Sequence, residues 1–426
     1  DIYIPPFAII YLDSILQKYG LRLDMNLNLP DKKINYLTRN FNLHTFQKTS
    51  LTNWIKNGYK GTIVIPTGGG KTYVGISAIL EIKRPTIIFV PNLWLLEQWR
   101  EKIGLLTGCP KSRIGLLGGG KIEIKDITLA TYQSGSRHID KIRNKFWLAI
   151  FDECHHVPAK TFRSIAMNIC SPYRLGLSAT PTRRDRNEIL IFKLVGNIVF
   201  SISYTQLVRL GLLAPIAYRR IYIPLPPDFR LKYNSISKEL DKTRDNIEKR
   251  KLINRLIAIA QENPRKIDTI IDIIKKHKTD KIFVFTSSIK FAKKIASCLK
   301  SIAPTAALTS KDPKRQQDRV IRNFKSGSIS VLVIVRKAEE GVDIGDANVA
   351  IIVSGSKQQR QFIQRIGRVI RPRKNKIAWV YELISKDTIE EYMSRKRGGL
   401  TFIRSIENLV RKKYGVKAYD EIILES

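Results

Sequence analysis

TIVIPTGGGKTYVGISAILEI, residues 62–82, is the stretch on which the rest of the chain is read. A short β-branched run comes first, an apolar helical run comes last, and PTGGGKT (66–72) lies between them. Gly68, Gly69 and Gly70 let the backbone curl so that its N–H groups point inward, as a phosphate-binding loop requires. The helix that follows adds the partial positive charge of its N-terminus at the same place. Thr67 belongs to this loop; Lys71 is spaced to reach β- and γ-phosphates, and Thr72 to set a hydroxyl on Mg²⁺. The strict form of the motif has a glycine where Ile65 stands. An ordinary strand-to-helix connection could also hold glycines and a lysine, but the strand before and the helix after favour nucleotide binding.

Working outward, similar apolar runs recur. The first half offers 62–66, 86–91, 127–132, 147–153 and 174–180; the second offers 281–287, 331–335, 350–356 and 378–383. Near-continuous apolar strands separated by helices predict parallel sheets covered on both faces. Two such series predict an α/β fold with two parallel-sheet domains. Between them, IPLPPDF (223–229) has prolines that oppose regular structure, and SKELDKTRDNIEKRKLINRLIAIA (237–260) has a charged helical pattern. Its apolar end argues for a small helical module over a solvated linker. The expected boundaries are a small element at 1–40, a first domain at 41–216, the helical module at 217–265, and a second domain at 266–426. The last includes one or two helices after Ser385.

WLAIFDECHH (147–156) puts Asp152 and Glu153 at the end of an apolar strand, where ligand sites of α/β sheets lie. Asp152 is expected to hold Mg²⁺, and Glu153 to orient and deprotonate an attacking water. Two carboxylates there could simply mark the solvent boundary, but the upstream loop favours catalysis. Cys154, His155 and His156 are adjacent and cannot all point one way from a strand, so zinc is not expected.

Composition narrows the partner. The 426 residues include 75 Lys plus Arg against 37 Asp plus Glu, a net charge of +38 with a pI near 10.1. Such a field attracts polyanions, and nucleic acid is the expected partner class, although a Lys-rich genome would also raise the charge. Four cysteines without a CxxC pair fit a reducing, cytoplasmic compartment. No apolar run reaches the ~18 residues of a membrane span, and the start DIYIPPFAII lacks the basic region of a signal peptide. Because the chain begins with Asp1, residues are expected to precede it.

PTGGGKT (66–72), DECH (152–155) and SAT (178–180), in this order, resemble the motifs of superfamily 2 DExH-box helicases. QRIGRVIR (364–371) resembles the last ATP-facing motif of that family, with Gln364, and with Arg368 and Arg371 as the arginines that reach the γ-phosphate. EEGVDI (339–344) resembles the preceding motif, whose Gly341 and Asp343 line the cleft. HTFQKTSLTNW (44–54) resembles the adenine-recognising segment, with Gln47 facing the base. VPNLWLLEQW (90–99), GLSATPTRRD (176–185) and SGSKQQRQFIQRIGRVIRP (354–372) are most similar to the archaeal XPB-type branch.

The resemblance implies two RecA-like domains that close on ATP and Mg²⁺, with residues 217–265 as a helical thumb. It also implies 3′–5′ translocation on single-stranded or forked DNA, in repair or transcription, in an archaeal or other prokaryotic-type cell. The motor is expected to be monomeric, with room for a nuclease partner. Backbone phosphates would meet Asn92, Thr131, Ser287 and Arg336. There are departures. Arg183, Arg184 and Asp185 replace the branch's Arg-Glu-Asp, Val335 stands where Thr is frequent, Gly345 where Pro is usual, and Asn92 where Thr is common. They bear on unwinding more than on hydrolysis. The alternatives are a duplex-DNA translocase serving a nuclease complex, and a non-hydrolysing nucleic-acid scaffold. Lys71, Glu153, Arg368 and Arg371 speak against the scaffold.

Overall fold

The computed structural model describes residues 16, 18–20, 28–153, 160–179, 193–309, 311–335, 346–354, 377–396 and 419–423. The chain divides into two compact units, Asp1–Tyr204 and Thr205–Ser426.

In the first unit the strands are β1 Lys60–Val64, β2 Thr86–Val90, β3 Ile114–Gly118, β4 Lys121–Ile122, β5 Ile127–Thr131, β6 Leu148–Asp152, β7 Tyr173–Ser178 and β8 Ile198–Ser201. They form one sheet in the order β4-β3-β5-β2-β6-β7-β1-β8. Every pairing is parallel except β3 with β4, which meet across a tight turn at Gly119 and Gly120. All residues of β2, β3, β5 and β6 are buried, the burial expected of strands covered by helices on both faces. Because these strands run the same way, their carboxyl ends share one edge. The phosphate loop follows β1, Asn92 follows β2, Thr131 ends β5 and Asp152 ends β6.

Within the core, Phe89 stacks on Tyr132 and Phe151, and Arg174 of β7 is fully buried. The Arg174 guanidinium donates to the carbonyls of Ala166, Ile169 and Leu194 at 2.6–2.7 Å, tying three chain segments together. Of the small N-terminal element, residues 28–40 run as a chain without helix or strand. They are pinned by Ile34 N to Lys83 O, Thr38 N to Thr107 O and Asn40 N to Leu106 O.

In the second unit, β9 Ile216–Ile223, β10 Ile282–Thr286, β11 Thr305–Leu308, β12 Val331–Val335, β13 Val349–Ile352, β14 Ala378–Ser385 and β15 Tyr419–Ile423 form a parallel sheet. Its order is β11-β12-β10-β13-β14-β9-β15. Ile267, Ile270, Ile273 and Ile274 of the helix Arg265–Lys276 pack on Val284, Val333 and Ile351 of the sheet, with Phe291 and Ile295 of Ile289–Leu299 beside them.

Three sequence expectations differ from this structure. Residues 217–223, read as the opening of the helical module, belong to β9 and lie inside the second sheet. The run carries two arginines, and each has its partner within the second unit. In the structure Arg219 lies over the Trp379 ring at 5.1 Å, and the buried Arg220 pairs with Glu382, which also accepts from the Tyr218 hydroxyl. The prolines of 223–229 do not prevent a helix: Pro227 begins Pro227–Lys242, at a position where its missing N–H costs no hydrogen bond. In the tail, the helix Ile389–Lys396 is present, but Tyr419–Ile423 is a strand paired with β9.

The helices Pro227–Lys242 and Asn246–Gln261 form a hairpin, with Asp245 capping the second through the N–H groups of Ile247 and Glu248. This hairpin belongs to the second unit and is fastened to the carboxyl ends of β9 and β14. Asn263 donates to the carbonyls of Ile223 and Pro224 and to Ser385 Oγ, which itself donates to Ala260 O at 2.6 Å.

Candidate active site

Gly68 and Gly70 both have φ near +86°, a region open to glycine at little cost. A Cβ on Gly70 would stand 2.5 Å from Gln47 Nε2, so the loop is also closed to larger residues there. Gln47 is buried. Its Oε1 accepts from His44 N at 3.0 Å and its Nε2 donates to Gly69 O at 3.2 Å. The amide expected to face a base therefore braces the glycine turn, keeping one lone pair and one N–H for another partner. Lys71 begins the helix Lys71–Ile82, and its Nζ donates to Ile65 O at 3.2 Å. Thr72 Oγ1 accepts from Lys102 Nζ at 3.4 Å.

Asp152 is buried at the end of β6. Its Oδ2 accepts from the Trp99 indole N–H at 2.8 Å, its Oδ1 from Glu153 N at 3.0 Å, and its main-chain carbonyl from the Tyr132 hydroxyl at 2.9 Å. Burial pushes its carboxyl up to about 6; the neighbouring Glu153 charge adds to this, while the Trp99 hydrogen bond and Lys71 pull it back. Glu153 has φ +52°, a left-handed turn that a non-glycine residue adopts at some cost. The chain thus bends sharply between the two acids instead of continuing the strand alternation.

The donor set suits a nucleotide with its cation. A glycine cradle closed by Gln47, a lysine at the loop's end, a hydroxyl and a buried carboxylate supply main-chain N–H groups, one cation and hard oxygen ligands. Sequence reading missed Trp99, Lys102 and Tyr132. The signal was a buried indole and phenol, each of which needs an acceptor when removed from water.

Asn92 and Thr131 lie at the same edge, at the ends of the adjacent strands β2 and β5, and both cap helices. Asn92 Oδ1 accepts from Leu95 N at 3.0 Å. The buried Thr131 hydroxyl accepts from Ser134 N at 3.2 Å and donates to Ser134 Oγ at 3.0 Å. In the second unit, Ser287 follows β10 and donates to Gln261 Oε1 of the hairpin at 2.5 Å. Arg336, Gly341, Asp343, Gln364, Arg368 and Arg371 lie outside the described residues, as do 154–156 and 180–185.

The family described as Type III restriction enzyme, res subunit, matches residues 40–183, and Helicase conserved C-terminal domain matches 265–373. The DNA 3'-5' translocase XPB2 of Sulfurisphaera tokodaii is 32% identical over 382 residues, covering 83% of this chain and 84% of that protein. The chain belongs to the XPB-type family of superfamily 2 helicases. Another relative, the DNA 3'-5' helicase XPB of Kineococcus radiotolerans, is 30% identical, with 82% of this chain matched to 61% of that protein. This XPB-type chain therefore spans less than two thirds of that longer relative.

In fold it is similar to the Pyrococcus furiosus Hef helicase domain, with TM-score 0.56, 18% identity, and 83% and 97% of the two chains covered. It is also similar to the type ISP restriction-modification enzyme LlaBIII bound to DNA, with TM-score 0.64, 16% identity, and 91% and 31% covered. The two sheets are RecA-like α/β domains. Among the described residues, no helix is long and apolar enough to cross a membrane.

Proposed function

We propose that this XPB-type chain is an ATP-driven DNA translocase that moves 3′ to 5′ and opens forked or partly single-stranded DNA in repair or transcription. The observation that carries the reading is the buried Asp152 carboxylate on the same sheet edge as the Gly68–Gly70 turn and Lys71, in a chain whose relatives are named DNA 3'-5' translocases and helicases. Main-chain N–H groups of residues 67–72 bind phosphate oxygens, and Lys71 neutralises the β- and γ-phosphates. Thr72 and Asp152 hold Mg²⁺, which supplies charge neutralisation at the phosphates. Glu153 accepts the proton of the attacking water.

By the family resemblance, Arg368, Arg371 and Gln364 are assigned to catalysis, the arginines stabilising charge on the transferred phosphoryl, and Gly341 and Asp343 to nucleotide binding. Asn92, Thr131, Ser287 and Arg336 mark the track of the DNA backbone. Asn92 can offer its free-standing amide N–H groups, whereas Thr131 contributes through the helix end that it caps. The hairpin at 227–261 acts as the thumb, working as part of the second unit. The motor acts as a monomer inside the cell, and a nuclease is the partner class its family resemblance suggests.

The test is steady-state ATP hydrolysis without nucleic acid and then with single-stranded, duplex and forked DNA and RNA at two salt concentrations, paired with strand displacement. Stimulation by DNA that fades with salt, with displacement from a fork, is expected. Hydrolysis without displacement leaves a duplex translocase, and nucleotide binding without hydrolysis under any condition overturns the motor.

A further inference from the structure

The helix Leu93–Thr107 touches both side chains proposed to hold the cation, and neither contact was legible as a motif. Residues 92, 95, 99 and 102 recur at helical spacing and lie on one face. Trp99 is buried from that face, and its ring fills the space left by Gly75, one turn along the phosphate-loop helix from Lys71. A Cβ on Gly75 would come within 2.5 Å of Trp99 Cη2. The ring is thus fixed by packing while its N–H, a donor only, is spent on Asp152 Oδ2 at 2.8 Å. Three residues on, Lys102 places Nζ 3.4 Å from Thr72 Oγ1.

We propose that Trp99 and Lys102 are positioning residues of the cation site, Trp99 fixing the plane of the Asp152 carboxylate and Lys102 the rotamer of the Thr72 hydroxyl. The two oxygens that must meet one small, geometrically demanding cation come from separate elements, the end of β6 and the start of Lys71–Ile82. A carboxylate free to rotate and a hydroxyl free to choose its rotamer would both lose entropy on meeting it. A helix in contact with both lowers that cost in advance, as outer partners of metal ligands generally do. An indole serves for Asp152 because it supplies one directed hydrogen bond with a rigid body that Gly75 admits.

The proposal rests on the ATP-site reading, and the experiment separates the two. Binding of a fluorescent ATP analogue to the intact chain is followed while Mg²⁺ is titrated, and again with no divalent cation. Trp99→Phe keeps a smaller aromatic ring, without the outer edge that packs on Gly75, and removes the donor. The half-saturating Mg²⁺ concentration is expected to rise about 10–100-fold, with metal-free nucleotide affinity within about twofold of the parent. Lys102→Met, at a partly exposed position, is expected to shift it the same way by a smaller factor and guards against a folding failure of the Trp99 variant. A half-saturation point unmoved in Trp99→Phe, or a metal-free affinity that falls equally, overturns the role of Trp99. An unmoved Lys102→Met overturns that of Lys102. If the parent chain shows no Mg²⁺-dependent nucleotide binding, the ATP-site reading itself fails.

Discussion

Glu153 is where local chemistry and backbone cost coincide. Its φ of +52° is held by a chain that turns directly after the buried Asp152, whose Oδ1 accepts the Glu153 N–H. Glu153→Gln is nearly isosteric and keeps that turn, so nucleotide binding is expected to persist while turnover falls by a factor of about 10²–10⁴. Equilibrium binding beside single-turnover hydrolysis checks this, and turnover within a few-fold of the parent excludes Glu153 as the base. Arg174 is a stability residue by the same kind of argument. Arg174→Met would leave the carbonyls of Ala166, Ile169 and Leu194 buried without their donor, for a loss of about 3–5 kcal/mol in urea unfolding. The acid pair was legible from its place at the end of an apolar run. The grip of Trp99 on Asp152 was not, because the partners are 53 residues apart and only the fold brings them together.

At the level of elements, the phosphate-loop helix and the helix Leu93–Thr107 meet where Gly75 leaves room for an indole. Gly75→Ala should therefore overpack this contact, costing about 1–3 kcal/mol and displacing Trp99, visible as a lower melting temperature with altered tryptophan fluorescence. An unchanged melt and spectrum would show that the contact has slack. In the second unit the hairpin is held at its root by Asn263, which reaches two main-chain carbonyls and Ser385. Asn263→Ala is expected to speed hydrogen exchange in residues 227–261 selectively, leaving β10 and β12 protected. Strands β1, β2, β5, β6 and β7 of the first sheet and β10, β12, β13 and β14 of the second were legible as apolar runs, while β3, β8 and β11 were not picked out. Nor was strand β9, since its two arginines find partners, a tryptophan face and a buried glutamate, that lie far away in sequence.

For the whole molecule, alternation of apolar strands and helices announced two parallel sheets, and each sheet has its own buried core. What the alternation could not supply was the ownership of the hairpin, which depends on side-chain fastenings after residue 260 and not on composition. The net charge of +38 belongs to this scale as well. If DNA binding neutralises six to ten phosphates, affinity should fall by a factor of about 10³–10⁵ between roughly 50 and 200 mM salt, measured by fluorescence anisotropy. A flat response would mean that the surplus lysines and arginines do not meet the DNA.

The helix Leu93–Thr107 has one more consequence. Asn92 caps it at one end, and Trp99 sits about two turns, roughly 10 Å, along it. A helix of this length is stiff, so its cap and the indole keep a fixed spacing. If DNA seats at Asn92 as proposed, a strand that favours one position of this helix would also favour one setting of the Asp152 carboxylate, with an equal bias in reverse. A cation that changes the setting of Asp152 would then change the hold on DNA by the same factor as DNA changes the hold on the cation.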